Sequence, residues 1–287
     1  MVPGRMESVS FLPNPAASSQ PSPLDPGWVP RCAVFDCDGV LMDTERQWVD
    51  SVATVAREYG LADPQGLAEG LTGMTAEQIA HRVAEAVAAE RLPGRASAPG
   101  SASAPGACAG EVRDPEGAAP ASLEAEILTA LTDLDMERLS RGVDLLPGAL
   151  ELVRALAAVM PVAVASNSRR DVLDLKMRSG GYAPLLSTWV STDDVPAGKP
   201  APDMYAEAVR RMGCTPGQAV AFEDSAPGAT AAVRAGTRVV GLVAADGSGD
   251  PVSAPGFPAA ALVCSFLDPQ FLGVVRGWTG APAARRD

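Results

Sequence analysis

The sequence predicts an α/β protein in which a parallel sheet is interrupted by an inserted helical segment. Three observations carry that expectation. A short apolar run, Cys32-Ala33-Val34-Phe35, ends abruptly on Asp36, Asp38 and Gly39, the form of a buried strand whose carboxyl end meets a polar loop. From Leu146 onward, short apolar runs alternate with helical patterns, the grammar of a parallel sheet covered on both faces. Between these two regions, the stretch 45–142 reads as helix and separates the first strand from the others.

The elements follow in order. Residues 1–29 carry many prolines and serines with little periodicity and read as a disordered arm. After the acidic loop, Trp48, Val52, Val55 and Tyr59 fall on one face of a helix from Glu45 to Tyr59, and Gly60 is placed to end it. Thr75 and Gln78 form a capping box for a second helix with Ile79, Val83 and Val87 on one side. Residues 93–121 are dominated by Pro, Gly, Ala and Ser. They cannot bury enough apolar area to offset their ordering entropy, so a disordered insertion is expected. Helical pattern returns at Ser122, with Ile127, Leu131 and Leu134 aligned, and fades near Gly142.

Beyond Pro147-Gly148, a helix carries Leu150, Val153 and Leu156. A strand at Val162–Ala165 ends on Ser166-Asn167-Ser168, with a helix from Arg169. Leu186–Ser191 reads as a strand leading to the loop Gly198–Asp203, and the next helix holds Tyr205, Val209 and Met212. Thr215–Gln218 reads as a single helical turn with an N-cap threonine and a first-turn proline. Ala219–Phe222 is a strand ending on Glu223-Asp224-Ser225, followed by a helix across Ala229–Arg234 and a strand at Arg238–Val243. Ala261–Cys264 reads as an edge strand. The domain reading is therefore a core of 30–44 and 143–270, a helical cap of 45–142, and a C-terminal tail of 271–287.

The 287 residues are 47% apolar and 20% charged, with a formal net charge of −12. The acidity argues against a nucleic-acid or anionic-membrane partner. No apolar run approaches the roughly 18 residues that a spanning helix needs. The N-terminal stretch shows no continuous apolar segment of a secretory signal. The five cysteines, Cys32, Cys37, Cys108, Cys214 and Cys264, lack C-x-x-C spacing and read as reduced thiols in a cytoplasmic protein. Cys37, between the two aspartates, reads as a small buried filler.

Polar residues end the strands or the loops after them: Asp36 with Asp38, Ser166 with Asn167, Lys199, and Glu223 with Asp224. In a parallel sheet those ends line one edge and can converge on one cleft. Asp36 can act as an oxygen nucleophile and Asp38 can carry a proton for a leaving group. Carboxylates without histidine or thiolate suit a hard cation such as Mg²⁺. A cation, a lysine and a hydroxyl together suit an anionic oxygen cluster, phosphate above all.

On these residues the chain resembles the haloacid dehalogenase-like hydrolase superfamily, in its branch with a helical cap after the first motif. The motifs are Phe35-Asp36-Cys37-Asp38-Gly39-Val40, Ser166-Asn167-Ser168, Gly198-Lys199-Pro200-Ala201-Pro202-Asp203, and Glu223-Asp224-Ser225 running on to Gly236. The resemblance implies a Rossmann-like core and an Mg²⁺-dependent phosphatase acting on a small phosphorylated metabolite. It implies that Asp36 forms an aspartyl-phosphate, while Asp38 protonates the leaving oxygen and then activates water. Mg²⁺ would be held by Asp36, the Asp38 backbone carbonyl, and Glu223 and Asp224 directly or through water. Ser166 and Lys199 would grip the phosphoryl oxygens. Gly39, Asn167, Trp48 and Thr75 are the candidate substrate contacts, and a monomer or weak homodimer is expected. A phosphosugar mutase of the β-phosphoglucomutase type is the alternative. It is disfavoured by Trp48, where such a mutase usually carries histidine, and by Ala76, where it carries arginine. A non-catalytic phosphate-ester binding or regulatory protein is the third reading, and its sequence mark would be loss of a key carboxylate, of which none is lost.

Overall fold

The computed structural model describes residues 11–14, 21–25, 27–71, 74–91, 120–245, 251–252 and 256–280. Among them the strands are β1 (Phe11–Pro13), β2 (Cys32–Phe35), β3 (Val162–Ala165), β4 (Thr188–Val190), β5 (Ala219–Glu223), β6 (Arg238–Leu242), β7 (Ala244–Ala245), β8 (Pro251–Val252) and β9 (Ala261–Val263). The helices are α1 (Glu45–Glu58), α2 (Pro64–Glu69), α3 (Ala76–Arg91), α4 (Pro120–Arg141), α5 (Ala149–Ala157), α6 (Arg170–Ser179), α7 (Asp203–Arg211), α8 (Ala226–Arg234) and α9 (Pro269–Thr279). The chain divides into two units, Met1–Glu45 with Arg138–Asp287, and Arg46–Glu137.

The first unit is built on a seven-stranded sheet of order β1-β9-β6-β5-β2-β3-β4. Its strands are parallel except β1, which runs antiparallel to β9. Side-chain size along the strands explains the layers. Ala33, Phe35, Val162, Val164, Val220 and Phe222 share one face and pack beneath α5, α6 and α9. Cys32, Val34, Ala163, Ala165, Ala219 and Ala221 share the other and meet α7 and α8. In β3 and β5 the period-two alternation thus puts valine and phenylalanine on one side and alanine on the other, where the helices can sit close, while β2 contributes Phe35 to the first side and Val34 to the second.

Phe35 and Phe222 stack with ring centroids 4.4 Å apart, and Phe266 and Phe271 stand edge-on to Phe222. Burying one such ring contributes about 1.5–3 kcal/mol. The register sets Phe35 level with Val164 of β3 and Phe222 of β5. The register therefore brings Asp36 level with Glu223, and Ser166 follows one residue further on at the same carboxyl-terminal end of the sheet.

Three expectations for the chain ends and the last strand are corrected here. Part of the arm expected to be disordered at 1–29 is structured: β1 pairs with β9, and the Asn14 amide donates to the carbonyls of Phe257 and Ala259, both at 2.8 Å. Trp28 lies under the Arg238 guanidinium at 4.4 Å and edge-on to Trp278. A proline-bearing segment is compatible with an edge strand, which needs donors on one side only. Ala261–Val263 is in turn an interior strand, because β1 covers its outer side. The expected tail at 271–287 begins inside α9, whose Phe271, Val275 and Trp278 are buried. Asp268 caps that helix, its carboxylate accepting from the Phe271 N–H at 2.7 Å.

In the second unit, α1, α2, α3 and α4 enclose a core of Val52, Val55, Ile79, Val83, Ile127 and Leu131, with Trp48 and Tyr59 packed against it. The capping box of α3 is present, with Thr75 Oγ1 accepting from Gln78 N–H and Gln78 Oε1 from Thr75 N–H. The short α2 lacked a readable period. Asp63 starts it by accepting from Gly66 N–H at 3.0 Å. The expected insertion at 93–121 lies outside the described residues, except that α4 already begins at Pro120. No helix among the described residues is long and apolar enough to cross a membrane.

Candidate active site

The site assembles where β2, β3 and β5 end. Asp36 follows β2 and is buried; its N–H donates to Phe222 O, which locks it to β5. Lys199 arrives from the loop before α7. Its buried ammonium donates to Asp36 Oδ1 at 2.5 Å and to Glu223 Oε1 at 2.6 Å. Asn167 steers that loop: its side-chain oxygen accepts from Lys199 N–H at 3.0 Å and its amide donates to Lys199 O at 3.4 Å. Gly198 makes the approach feasible, since a Cβ there would stand 2.7 Å from Asn167 Oδ1.

Glu223 is fully buried and fully partnered. Besides Lys199, the Tyr205 hydroxyl donates to Oε1 at 2.7 Å, and Ser225 donates to Oε2 through both N–H and hydroxyl. A charge removed from water needs that saturation. Gly228, in the first turn of α8, leaves room for the carboxylate, because a Cβ would come within 1.8 Å of Glu223 Oε1. Gly39 does the same for Asp224: it has φ +76 and a Cβ there would meet Asp224 Oδ2 at 1.9 Å.

Carboxylate oxygens of Asp36, Glu223 and Asp224 lie within 4.8 Å of one another. Burial, opposed by Lys199 but reinforced by Glu223 and Asp38, pushes Asp36 up to about 7. Burial and then the charges of Asp36 and Glu223 push Asp224 up to about 8. Three hard oxygen donors facing a single ammonium fit a hard divalent cation, which would relieve that repulsion. A cavity of about 450 Å³ opens beside Gly39 and Asp224, walled by Leu146, Leu242 and Phe257.

Asp38 stands apart from that cluster. Lys176 Nζ donates to its Oδ1 at 2.7 Å, and the Thr44 hydroxyl donates to the same oxygen. The Ser168 hydroxyl reaches Oδ2 at 3.4 Å. Burial works against its charge, but the Lys176 ammonium and the two donors to Oδ1 hold the Asp38 carboxyl below its usual range. Ser166, also buried, accepts from Ser168 N–H at 3.1 Å and donates to Ser168 Oγ at 3.2 Å.

The structure therefore brings together Asp36, Lys199, Glu223 and Asp224, with Asn167 and Gly39 shaping their approach. Asp38 and Ser166 join through Ser168. Trp48 and Thr75 belong to the helical unit, where one packs on the core and the other caps α3. Three residues escaped the sequence reading as site residues: Tyr205, Thr44 and Lys176. Lys176 had a signal, since it falls on the α6 face of Val172, Leu173 and Met177, where an unpaired lysine is out of place.

A family model for haloacid dehalogenase-like hydrolases matches residues 30–236. The chain belongs to that family. It is 28% identical over 213 residues to the validoxylamine A 7'-phosphate phosphatase of Streptomyces hygroscopicus subsp. limoneus, a match covering 74% of this chain and 85% of the relative. It is 27% identical over 207 residues to the fructose-1-phosphate phosphatase YqaB of Escherichia coli K12, covering 72% and 93%. Among solved structures, a haloacid dehalogenase family hydrolase from Deinococcus radiodurans R1 with bound phosphate and sodium superposes with a TM-score of 0.58 at 27% identity, covering 88% of this chain and 98% of that one. The chain is accordingly a haloacid dehalogenase-like hydrolase of α/β class, a Rossmann-like parallel sheet with an inserted helical domain.

Proposed function

We propose that the protein is an Mg²⁺-dependent phosphatase of a small phosphorylated metabolite, a sugar phosphate or similar, working in the cytoplasm through an aspartyl-phosphate. The observation that carries the reading is the placement of Asp36. Its carboxylate is fixed at a strand end by Lys199 and lies within reach of two further carboxylates. Attack by Asp36 on phosphorus forms the Asp36 O–P bond and breaks the bond to the ester oxygen, which takes a proton from Asp38 and leaves as an alcohol. Water then gives a proton to the Asp38 carboxylate as its oxygen joins phosphorus and the Asp36 O–P bond breaks, releasing inorganic phosphate. The downward shift of Asp38 suits the second step, in which it is a base. For the first it takes up a proton as the anionic ester arrives.

Mg²⁺ would be bound by Asp36 and Asp224, with the Asp38 carbonyl, and Glu223 would join through water because its oxygens already have partners. When bound, the cation neutralises charge on the phosphoryl oxygens. Lys199 and Ser166 would bind those oxygens, and Gly39 and Asn167 would shape their approach. Both relatives are named for phosphatase activity on phosphorylated small molecules, which favours hydrolysis over the mutase alternative.

The test is Asp36→Asn, which keeps size and removes the charge, assayed with p-nitrophenyl phosphate and a panel of phosphorylated metabolites. The expected result is loss of turnover and of acid-stable phosphoenzyme. Turnover near that of the parent protein would end the covalent mechanism.

A further inference from the structure

We propose that Lys176 is a positioning residue for Asp38: its ammonium ties down one carboxylate oxygen so that the other is the one presented for proton exchange. The inference rests on the aspartyl-phosphate reading above and adds to it a residue outside the four motifs. Lys176 lies on α6, on the same buried face as Val172, Leu173 and Met177, with only 7% of its side chain exposed. Long cationic side chains are almost never buried without a partner. This one crosses from α6 to the loop after β2 and meets Asp38 Oδ1 at 2.7 Å and Ser168 Oγ at 3.1 Å.

The pattern of contacts is asymmetric. Oδ1 receives both Lys176 and the Thr44 hydroxyl, whereas Oδ2 has a long contact of 3.4 Å from Ser168. A carboxylate has two rotatable torsions, and a donor at Oδ1 from each of two elements settles both. Oδ2 is then the oxygen that gives its proton to the ester oxygen and later receives one from water. With 39% of the Asp38 side chain exposed, the contact with Lys176 leaves the carboxylate reachable. Its work is directional. The site thus uses two buried lysines in matching fashion, Lys199 on the nucleophile and Lys176 on the proton carrier.

The experiment is Lys176→Met, which keeps the apolar stem in the α6 stripe. A misplaced catalytic group loses on the order of 100-fold, and that loss should depend on how much the leaving oxygen needs its proton. With Mg²⁺ present, kcat on an alkyl phosphate such as glycerol phosphate should fall about 100-fold. The formation of phosphoenzyme from p-nitrophenyl phosphate should fall far less, and KM and competitive inhibition by inorganic phosphate should stay unchanged. Equal losses on both esters, or a raised KM with kcat intact, would overturn the assignment, the latter making Lys176 a substrate contact. A crystal structure of the variant supplies a readout independent of turnover: the Asp38 side chain should leave its parent rotamer. An unchanged rotamer overturns the positioning role even if the parent enzyme hydrolyses every ester offered. A displaced rotamer with a parent protein inactive on all esters would sink the phosphatase reading, and the proton-exchange role with it.

Discussion

Tyr205→Phe isolates one hydrogen bond beneath the site. Tyr205 is fully buried, its hydroxyl donates to Glu223 Oε1 at 2.7 Å, and its ring lies 5.2 Å from the Lys199 ammonium. Burial and the neighbouring Glu223 charge hold the phenol well above its usual range, so it remains a donor at every working pH. Phenylalanine keeps the ring, its packing and its contact with Lys199, and removes the donor alone. A hydrogen bond to a charged acceptor contributes about 1.5–3 kcal/mol. Since Lys199 stays on the same oxygen at 2.6 Å, the loss belongs in the lower part of that range, about 1.5–2 kcal/mol. Urea unfolding followed by circular dichroism checks it, as a shift of midpoint at constant slope. Lys199→Met should cost more, about 3–5 kcal/mol, because two buried carboxylates then lose their cation. A Tyr205→Phe loss under about 0.5 kcal/mol, below the usual net worth of one hydrogen bond, would mean that Lys199 alone satisfies Glu223. A loss as large as that of Lys199→Met would mean that Tyr205 holds the whole cluster in place.

Cation binding and the histidine give two more tests. Asp36 and Asp224 are raised to about 7 and about 8 without a cation, so both still hold protons near neutral pH. Mg²⁺ must displace them, and calorimetric titration at pH 7 in buffers of different ionisation enthalpy should show proton release; none at all would contradict the raised values. The sign for stability follows. Both groups are raised above 3.8, so their contribution to the metal-free fold is complete below that value and is lost as pH climbs through about 7 to 8. Saturating Mg²⁺ should offset that loss in thermal melts. His81 is the only histidine, and the Glu124 carboxylate at 3.0 Å raises it above 6.5. Its ring resonance should titrate above that value in the parent and move back toward it in Glu124→Gln; an identical midpoint in both would remove the pair from α3 and α4.

What the sequence determined by itself was periodic or punctuated. The short apolar runs of β2, β3 and β5, set among helical patterns, called for a sheet with two covered faces. Asp36, Ser166, Lys199, Glu223 and Asp224 stood out because each interrupts an apolar run or sits in a Gly/Pro loop beside one. The Thr75–Gln78 capping box and the Thr215 N-cap were equally visible, since their partners lie within one turn, and the structure completes the second as a box with Gln218. What only the tertiary structure decided was long-range pairing. β1 joins β9 across most of the chain, and three residues of strand carry no period that could announce it. α9 was hidden by Pro269 and two glycines, and its buried face exists only because Phe222, Phe266 and Trp28 await it. Tyr205 and Lys176 read as helix residues until the fold carried their polar tips to Glu223 and Asp38. A helical period records which face is buried, but the group waiting opposite a buried hydroxyl or ammonium is set by a different stretch of chain.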